Sequence, residues 1–180
     1  MKQTIKRMLV AILSFTMMVI SVTFNVEAAE TPLTPPTLEE YGEPISVTTY
    51  VNEDGCTVTE RLYFYSDSSL ATRSGSGSGW FKQEKELQWT SSGGTSTYYA
   101  QGYFTWGDGD VSVSNPSGGI DYIPGLQTMS NEKVETGHGK YAGVFNNYAT
   151  VTYSFSTTSA VGYTLDYSVT VRVSESGNQI

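Results

Sequence analysis

The stretch Tyr163–Val173 reads Tyr-Thr-Leu-Asp-Tyr-Ser-Val-Thr-Val-Arg-Val. Tyr163, Leu165, Tyr167, Val169, Val171 and Val173 fall on one face, and Thr164, Asp166, Ser168, Thr170 and Arg172 on the other. Unbroken alternation at period two, in β-branched and aromatic types, specifies a half-buried β-strand. At ~3.3 Å per residue such a strand crosses a whole small domain, about 36 Å. Its apolar face requires a sheet beside it and a second layer above it.

Immediately upstream, Asn147–Ser156 alternates through Ala149, Val151, Tyr153 and Phe155. It should pair antiparallel with Tyr163–Val173 across the connection Thr157–Gly162. Further back, Trp80–Asn115 reads as a three-stranded meander. Gly93-Gly94 turns Trp80–Ser92 onto Thr95–Trp106, pairing Trp89 with Tyr98, Leu87 with Ala100 and Phe81 with Trp106. Asp108-Gly109 turns the chain again, pairing Trp106 with Val111 and Phe104 with Val113. Gly102 sits in mid-strand, the mark of a bulge or a close backbone approach.

Ile45–Tyr65 is the first hairpin. Asp54-Gly55 is its two-residue turn, which places Val51 opposite Val58, Val47 opposite Leu62 and Ile45 opposite Phe64. Ser66–Gly79, with its Ser-Gly repeats, reads as a flexible bridge. Pro116–Gly143 is rich in glycine, with Ile120, Tyr122, Ile123 and Leu126 as core anchors and Thr128–Thr136 as a short edge strand. About eight strands, many joined by hairpins, with no helical period among them, predict an antiparallel β-sandwich of immunoglobulin-like or similar type. A closed up-and-down β-barrel is the alternative.

The flanks read differently. Lys2, Lys6 and Arg7 precede the apolar run Met8–Val22, and Val26-Glu27-Ala28 has the small residues of a signal-peptidase site. Residues 1–28 are therefore expected to be a secretory signal cleaved after Ala28, with an uncleaved anchor as the alternative. The expected location is extracellular, with no stable membrane insertion after cleavage. Residues 29–44 carry Pro32, Pro35, Pro36 and Pro44 among glutamates, and read as a disordered leader. The single domain is then 45–173, and 174–180 is a polar tail.

The formal charge is −8, with 18 acidic and 10 basic residues, and losing the signal would make the chain more acidic still. An acidic surface with scattered Lys and Arg disfavours nucleic acid. Cys56 is the only cysteine, so no disulfide can form within the chain. A small semi-buried thiol is its plain reading, and a reactive or intermolecular one the alternative.

The outer face of the meander is the candidate binding surface. It carries Trp80, Glu84 and Glu86 on one strand and Tyr99, Gln101 and Tyr103 on the next. Aromatic rings stack on apolar surfaces while carboxylates and amides fix hydroxyls or peptide groups. Glu84 and Glu86 also satisfy the rough separation of a hydrolytic carboxylate pair, but neighbours on one strand point the same way rather than across a cleft. Asp108 and Asp110 have too few acidic neighbours for a calcium loop and are explained as turn residues. His138, the only histidine, stands in a glycine-rich loop without the spacing of a triad or a zinc site. The sequence calls for no catalytic residue, metal or cofactor.

The signal segment, the Asp-Gly hairpin, the Ser/Gly bridge, Tyr98-Tyr99-Ala100-Gln101-Gly102-Tyr103-Phe104-Thr105-Trp106, and Thr150-Val151-Thr152-Tyr153 with Tyr167-Ser168-Val169-Thr170-Val171 carry a resemblance. The pattern is similar to that of small, uncharacterised secreted β-rich proteins of Gram-positive bacteria. It implies export and an all-β domain, and transfers no functional residue. The function expected is a secreted, non-enzymatic binding module for cell-wall or host glycan or for a protein surface. A structural or self-associating extracellular protein is the alternative, and a wall-active hydrolase comes third.

Overall fold

The computed structural model describes residues 33–66, 75–88, 94–121, 127–140 and 147–180. Within them a helical turn, α1 (Leu38–Tyr41), precedes eight strands. These are β1 (Ser46–Val51), β2 (Thr57–Tyr65), β3 (Gly77–Gln88), β4 (Thr95–Gly107), β5 (Asp110–Ile120), β6 (Gln127–Lys140), β7 (Asn147–Ser159) and β8 (Thr164–Ser174). Every pairing is antiparallel. They form a five-stranded sheet, β1-β2-β3-β4-β5, and a three-stranded sheet, β6-β7-β8, which stack as a sandwich and do not close into a barrel. The expected signal segment, Trp89, Gly93, Tyr122, Ile123 and Leu126 lie outside the described residues. Among the described residues no helix is long and apolar enough to cross a membrane.

The core lies between the sheets because period-two alternation gives each inner strand one apolar side. Val151, Tyr153, Val171 and Val173 of the smaller sheet meet Tyr98, Ala100, Phe104 and Val111 of the larger one in a single cluster. Tyr98 meets Phe155 edge-on at 5.2 Å, and Phe104 meets Phe81 edge-on at 5.6 Å between ring centroids. Two glycines set how closely the sheets approach. A Cβ on Gly118 would lie 2.5 Å from the Cβ of Tyr153, and one on Gly102 would lie 2.9 Å from Cγ2 of Val151. Gly102 also stands at a register shift between Gln101 and Tyr103, so it marks both a bulge and a close approach.

The β4–β5 hairpin has the register read from the sequence, with Trp106 opposite Val111 and Phe104 opposite Val113. Asp108 and Gly109 both have positive φ, 53° and 77°, as a two-residue turn matched to strand twist requires. The strand continues through Pro116 to Ile120 instead of ending at Asn115. Proline is tolerated there because β5 is an edge strand and the bulge lies beside it.

Three other expectations are corrected. The first hairpin is displaced by one residue: Tyr50, not Val51, faces Val58, and Ser46 faces Leu62. The Gly55 N–H donates to the Asn52 carbonyl, and Asn52 and Cys56 close the loop. The turn is thus the three residues Glu53–Gly55, ended by Gly55 at φ 76°. A one-residue slip turns every side chain over, so Ile45, Val47 and Val51 lie on the outer face, 60%, 55% and 66% exposed.

In the β3–β4 pair the register slides by four: Phe81 faces Gly102 and Leu87 faces Ser96. The connection leaves β3 at Gln88 and enters β4 at Thr95, so it is longer than the Gly93-Gly94 pair. An even slide preserves the faces. Gly77–Gly79 are strand residues rather than bridge, because Gly77 lies under the Trp106 indole and Gly79 under the Phe64 ring.

The flanks are also built in. The expected leader carries α1, whose Thr37 and Glu40 form a reciprocal capping box and whose Tyr41 is buried. The polar tail pairs Gln179 with Val173, and Gln179 Nε2 donates to Gln83 Oε1 at 3.0 Å. The edge strand expected at Thr128–Thr136 spans all of β6, and His138 lies within it opposite Ala149, not in a loop.

Tyr153 lies in the core with no hydrogen-bond partner for its hydroxyl among the described residues. Burial, followed by the negative charge of Glu132, pushes its pKa up to about 12. An unpaired buried hydroxyl costs about 1–3 kcal/mol. Tyr153→Phe should therefore stabilise the domain by roughly 1 kcal/mol and raise Tm by about 2–4 °C. A lower Tm in differential scanning calorimetry would show that the hydroxyl is paired.

Candidate functional site

The outer face of the larger sheet runs across four strands. Antiparallel register aligns Arg61 of β2 with Glu84 of β3 and Tyr99 of β4, and Tyr63 with Lys82 and Gln101. Tyr65, Trp80 and Tyr103 form the next row. All six residues expected for a binding surface therefore share this face.

Its centre is a charge network. Arg61 Nη1 reaches Glu86 Oε2 at 2.8 Å and Glu84 Oε1 at 3.2 Å, and the other Glu84 oxygen lies 3.2 Å from Lys82 Nζ. Burial alone would lower the Arg61 pKa, but Glu86 and Glu84 outweigh it and hold the guanidinium above its usual value. The Lys82 ammonium lies 4.6 Å from the Tyr99 ring centroid and 5.6 Å from that of Tyr63, within cation–π range of both. Burial, then the carboxylate of Glu84, raises the Tyr63 pKa; burial, then Asp121, raises that of Tyr99. Both phenols thus stay neutral and act at neutral pH as rings and hydrogen-bond donors.

The lower part of the face is covered. Tyr41 of α1 packs on Tyr63 and Tyr65, with centroids 5.9 and 6.3 Å apart, and its hydroxyl donates to Gln101 Oε1 at 3.4 Å. Together Tyr41, Tyr63 and Trp80 make a second small core, with Tyr65 and Tyr103 against it. Trp80 is left only 1% exposed. Gln101 is also spoken for, its amide donating to Ser117 Oγ at 3.0 Å, and Tyr103 donates to Ser78 Oγ at 2.7 Å. The reachable groups are the partly exposed Glu86, Arg61 and Tyr99, bordered by the apolar side of β1.

Arg61, Tyr63 and Tyr41 were absent from the expected set. Period-two spacing in β2 would have supplied Arg61 and Tyr63 once β2 was known to pair with β3. Tyr41 had a local signal, the Thr37–Glu40 capping box, but nothing local to indicate what α1 covers.

Asp108 and Asp110 belong to the β4–β5 turn, where Asp110 Oδ1 accepts the Val111 N–H at 2.9 Å. Among the described residues no three His, Cys, Asp or Glu side chains converge. Cys56 is buried, and burial followed by the nearby Asp54 raises its thiol pKa, which disfavours the thiolate.

Comparison with protein-family models, with curated proteins and with solved structures finds no match.

Proposed function

We propose that the protein is a secreted, non-catalytic interaction module that recognises a polypeptide surface through the outer face of its larger sheet. The observation that carries this reading is the ordered network of Arg61, Glu84, Glu86, Lys82 and Tyr99 beside three exposed apolar residues of β1. Aromatic and Arg anchors next to apolar area are the composition of interface cores. The network is held by its own ion pairs, so few side chains need ordering on binding. Two observations weigh against the other expectations. Trp80, the strongest ring for stacking on a sugar, lies beneath Tyr41. Glu84 and Glu86 share one guanidinium, which favours two anions over the proton-carrying acid that glycoside hydrolysis needs.

The test is to pan a random peptide display library against the immobilised protein and measure the selected peptides by interferometry. Tyr99→Ala and Arg61→Ala should each weaken binding by about tenfold or more, the scale of an interface hot spot above ~1.4 kcal/mol. Selected peptides indifferent to both substitutions would move the site elsewhere. Absence of any selected peptide, with saturable glycan-array binding lost in Tyr99→Ala, would replace the polypeptide with a carbohydrate.

A further inference from the structure

We propose that β1 is a docking edge that takes an extended segment of another polypeptide as a sixth strand of the larger sheet, the segment having basic residues at its ends. The inference deepens the reading above and rests on it for the polypeptide nature of the ligand.

Four strands lie at sheet edges: β1 and β5 in the larger sheet, β6 and β8 in the smaller. Proteins guard such edges with charges, proline, bulges or cover, because an open row of N–H and C=O groups invites another strand. β5 has Pro116 and the bulge opposite Gly102. β6 carries Glu132, Lys133, Glu135 and Lys140 and has a register shift between Ser130 and Lys133. β8 has Asp166 and Arg172, and its end is paired by the chain's own last residues, Ile180 N–H donating to the Arg172 carbonyl. β1, Ser-Val-Thr-Thr-Tyr-Val, has no charge, proline or register shift, and all six residues are exposed.

The groups that such a strand would use can be named. Asn52 donates its N–H to the Cys56 carbonyl, so this is a hydrogen-bonded pair. Hydrogen-bonded and non-bonded pairs alternate along an antiparallel ladder. Tyr50, Thr48 and Ser46 therefore bond inward to β2, while the main-chain groups of Val47, Thr49 and Val51 point out from the sheet. The side chains of Ile45, Val47 and Val51 make an apolar row on the outer face, and Ser46, Thr48 and Tyr50 a polar one on the other. An added strand is thus matched in pattern by alternating apolar and polar residues.

Charge selects the occupant. Glu43 precedes the strand and Glu53 and Asp54 follow it, all exposed, with no basic residue between positions 43 and 56. A second copy laid antiparallel on β1 would set Glu43 against Glu53 and Asp54 of its twin at both ends, on molecules each of net charge −8. Like charges placed opposite each other are destabilising. A foreign strand with Lys or Arg at its ends turns the same two contacts favourable.

The test is residue-resolved amide hydrogen exchange by NMR, with the synthetic peptide Lys-Val-Thr-Val-Thr-Val-Lys and its Glu-flanked counterpart as probes. In the protein alone the Val47, Thr49 and Val51 amides should exchange fast while those of Thr48 and Tyr50 are protected. The Lys-flanked peptide should slow the three outward amides at least tenfold, and the Glu-flanked peptide should not. Thr49→Pro removes one outward donor and no inward bond, so it should retain the fold and lose the peptide's effect. Thr49→Lys, which blunts the edge by charge alone, should lose it too and covers the case in which the proline variant misfolds. Unprotected outward amides at a peptide concentration that saturates binding would overturn strand addition. If that binding still depends on Tyr99, the outer-face reading stands alone. Protection that survives in Tyr99→Ala would support the edge and discard the face. Protection that grows with protein concentration in the absence of peptide would mean β1 pairs with its own kind, which overturns the foreign strand.

Discussion

Phe104→Ala should lower stability by roughly 3–5 kcal/mol, the range for emptying a large aromatic site in a packed core. Phe104 is wholly buried and stands in β4, a strand in contact with both the larger sheet and β7 and β8 of the smaller one. Its ring meets Phe81 edge-on, and Phe81 in turn packs on Phe64 and Trp106, so one deletion removes the middle of a four-ring chain. The void cannot close easily. Gly102 already brings β4 against Val151, and Gly118 brings β5 against Tyr153, so the sheets have little further to move. For a domain of this length each kcal/mol shifts Tm by about 2–4 °C, so the melting point should fall by roughly 6–20 °C. Urea melts should show a lower midpoint with an unchanged slope. A loss under 1 kcal/mol would mean that the sheets collapse onto the gap, and that the glycine contacts do not set their spacing.

The sandwich was legible because burial of one side of each strand is written locally, in period two. Register was legible only where the turn residues determine the loop completely. Asp108-Gly109 does so, since both residues take positive φ and the two flanking residues must then pair. Asp54-Gly55 does not, because the same dipeptide also ends a three-residue loop. Asn52, whose side-chain oxygen accepts the Cys56 N–H at 2.9 Å, selects that longer loop. The consequence reaches function: the slip is what turns Ile45, Val47 and Val51 outward. The β3–β4 error was larger in residues but harmless to the candidate face, because a slide of four leaves each side chain on its side. The cover over Trp80 was illegible for a different reason. Tyr41 and Gln101 are 60 positions apart, and no periodicity or turn signal links them.

Tyr41→Ala should release α1 from the sheet and uncover Trp80 without unfolding the sandwich. The two cores are separate clusters: Tyr41, Tyr63 and Trp80 lie on the outer face, and the main cluster lies between the sheets. α1 packs only on β2, and its four residues are too short to persist as an isolated helix. Once the Tyr41 ring is gone, the capping box of Thr37 and Glu40 stabilises a turn with nothing to hold it down. Burying a ring of this size is worth roughly 2–4 kcal/mol, and here that loss falls on docking of the turn rather than on global stability. Trp80 should then shift its fluorescence emission to longer wavelength and become accessible to acrylamide, with Trp80→Phe in the same background identifying its signal. Global Tm should fall far less than in Phe104→Ala. The same variant discriminates between ligand classes. Uncovering Trp80 and Gln101 would create a stacking surface that the intact protein lacks, so new glycan binding in Tyr41→Ala would make α1 a cover over a carbohydrate site. Unchanged glycan binding with Trp80 exposed would leave the polypeptide reading of the face in place. Unaltered emission would show that Trp80 is buried by something other than Tyr41.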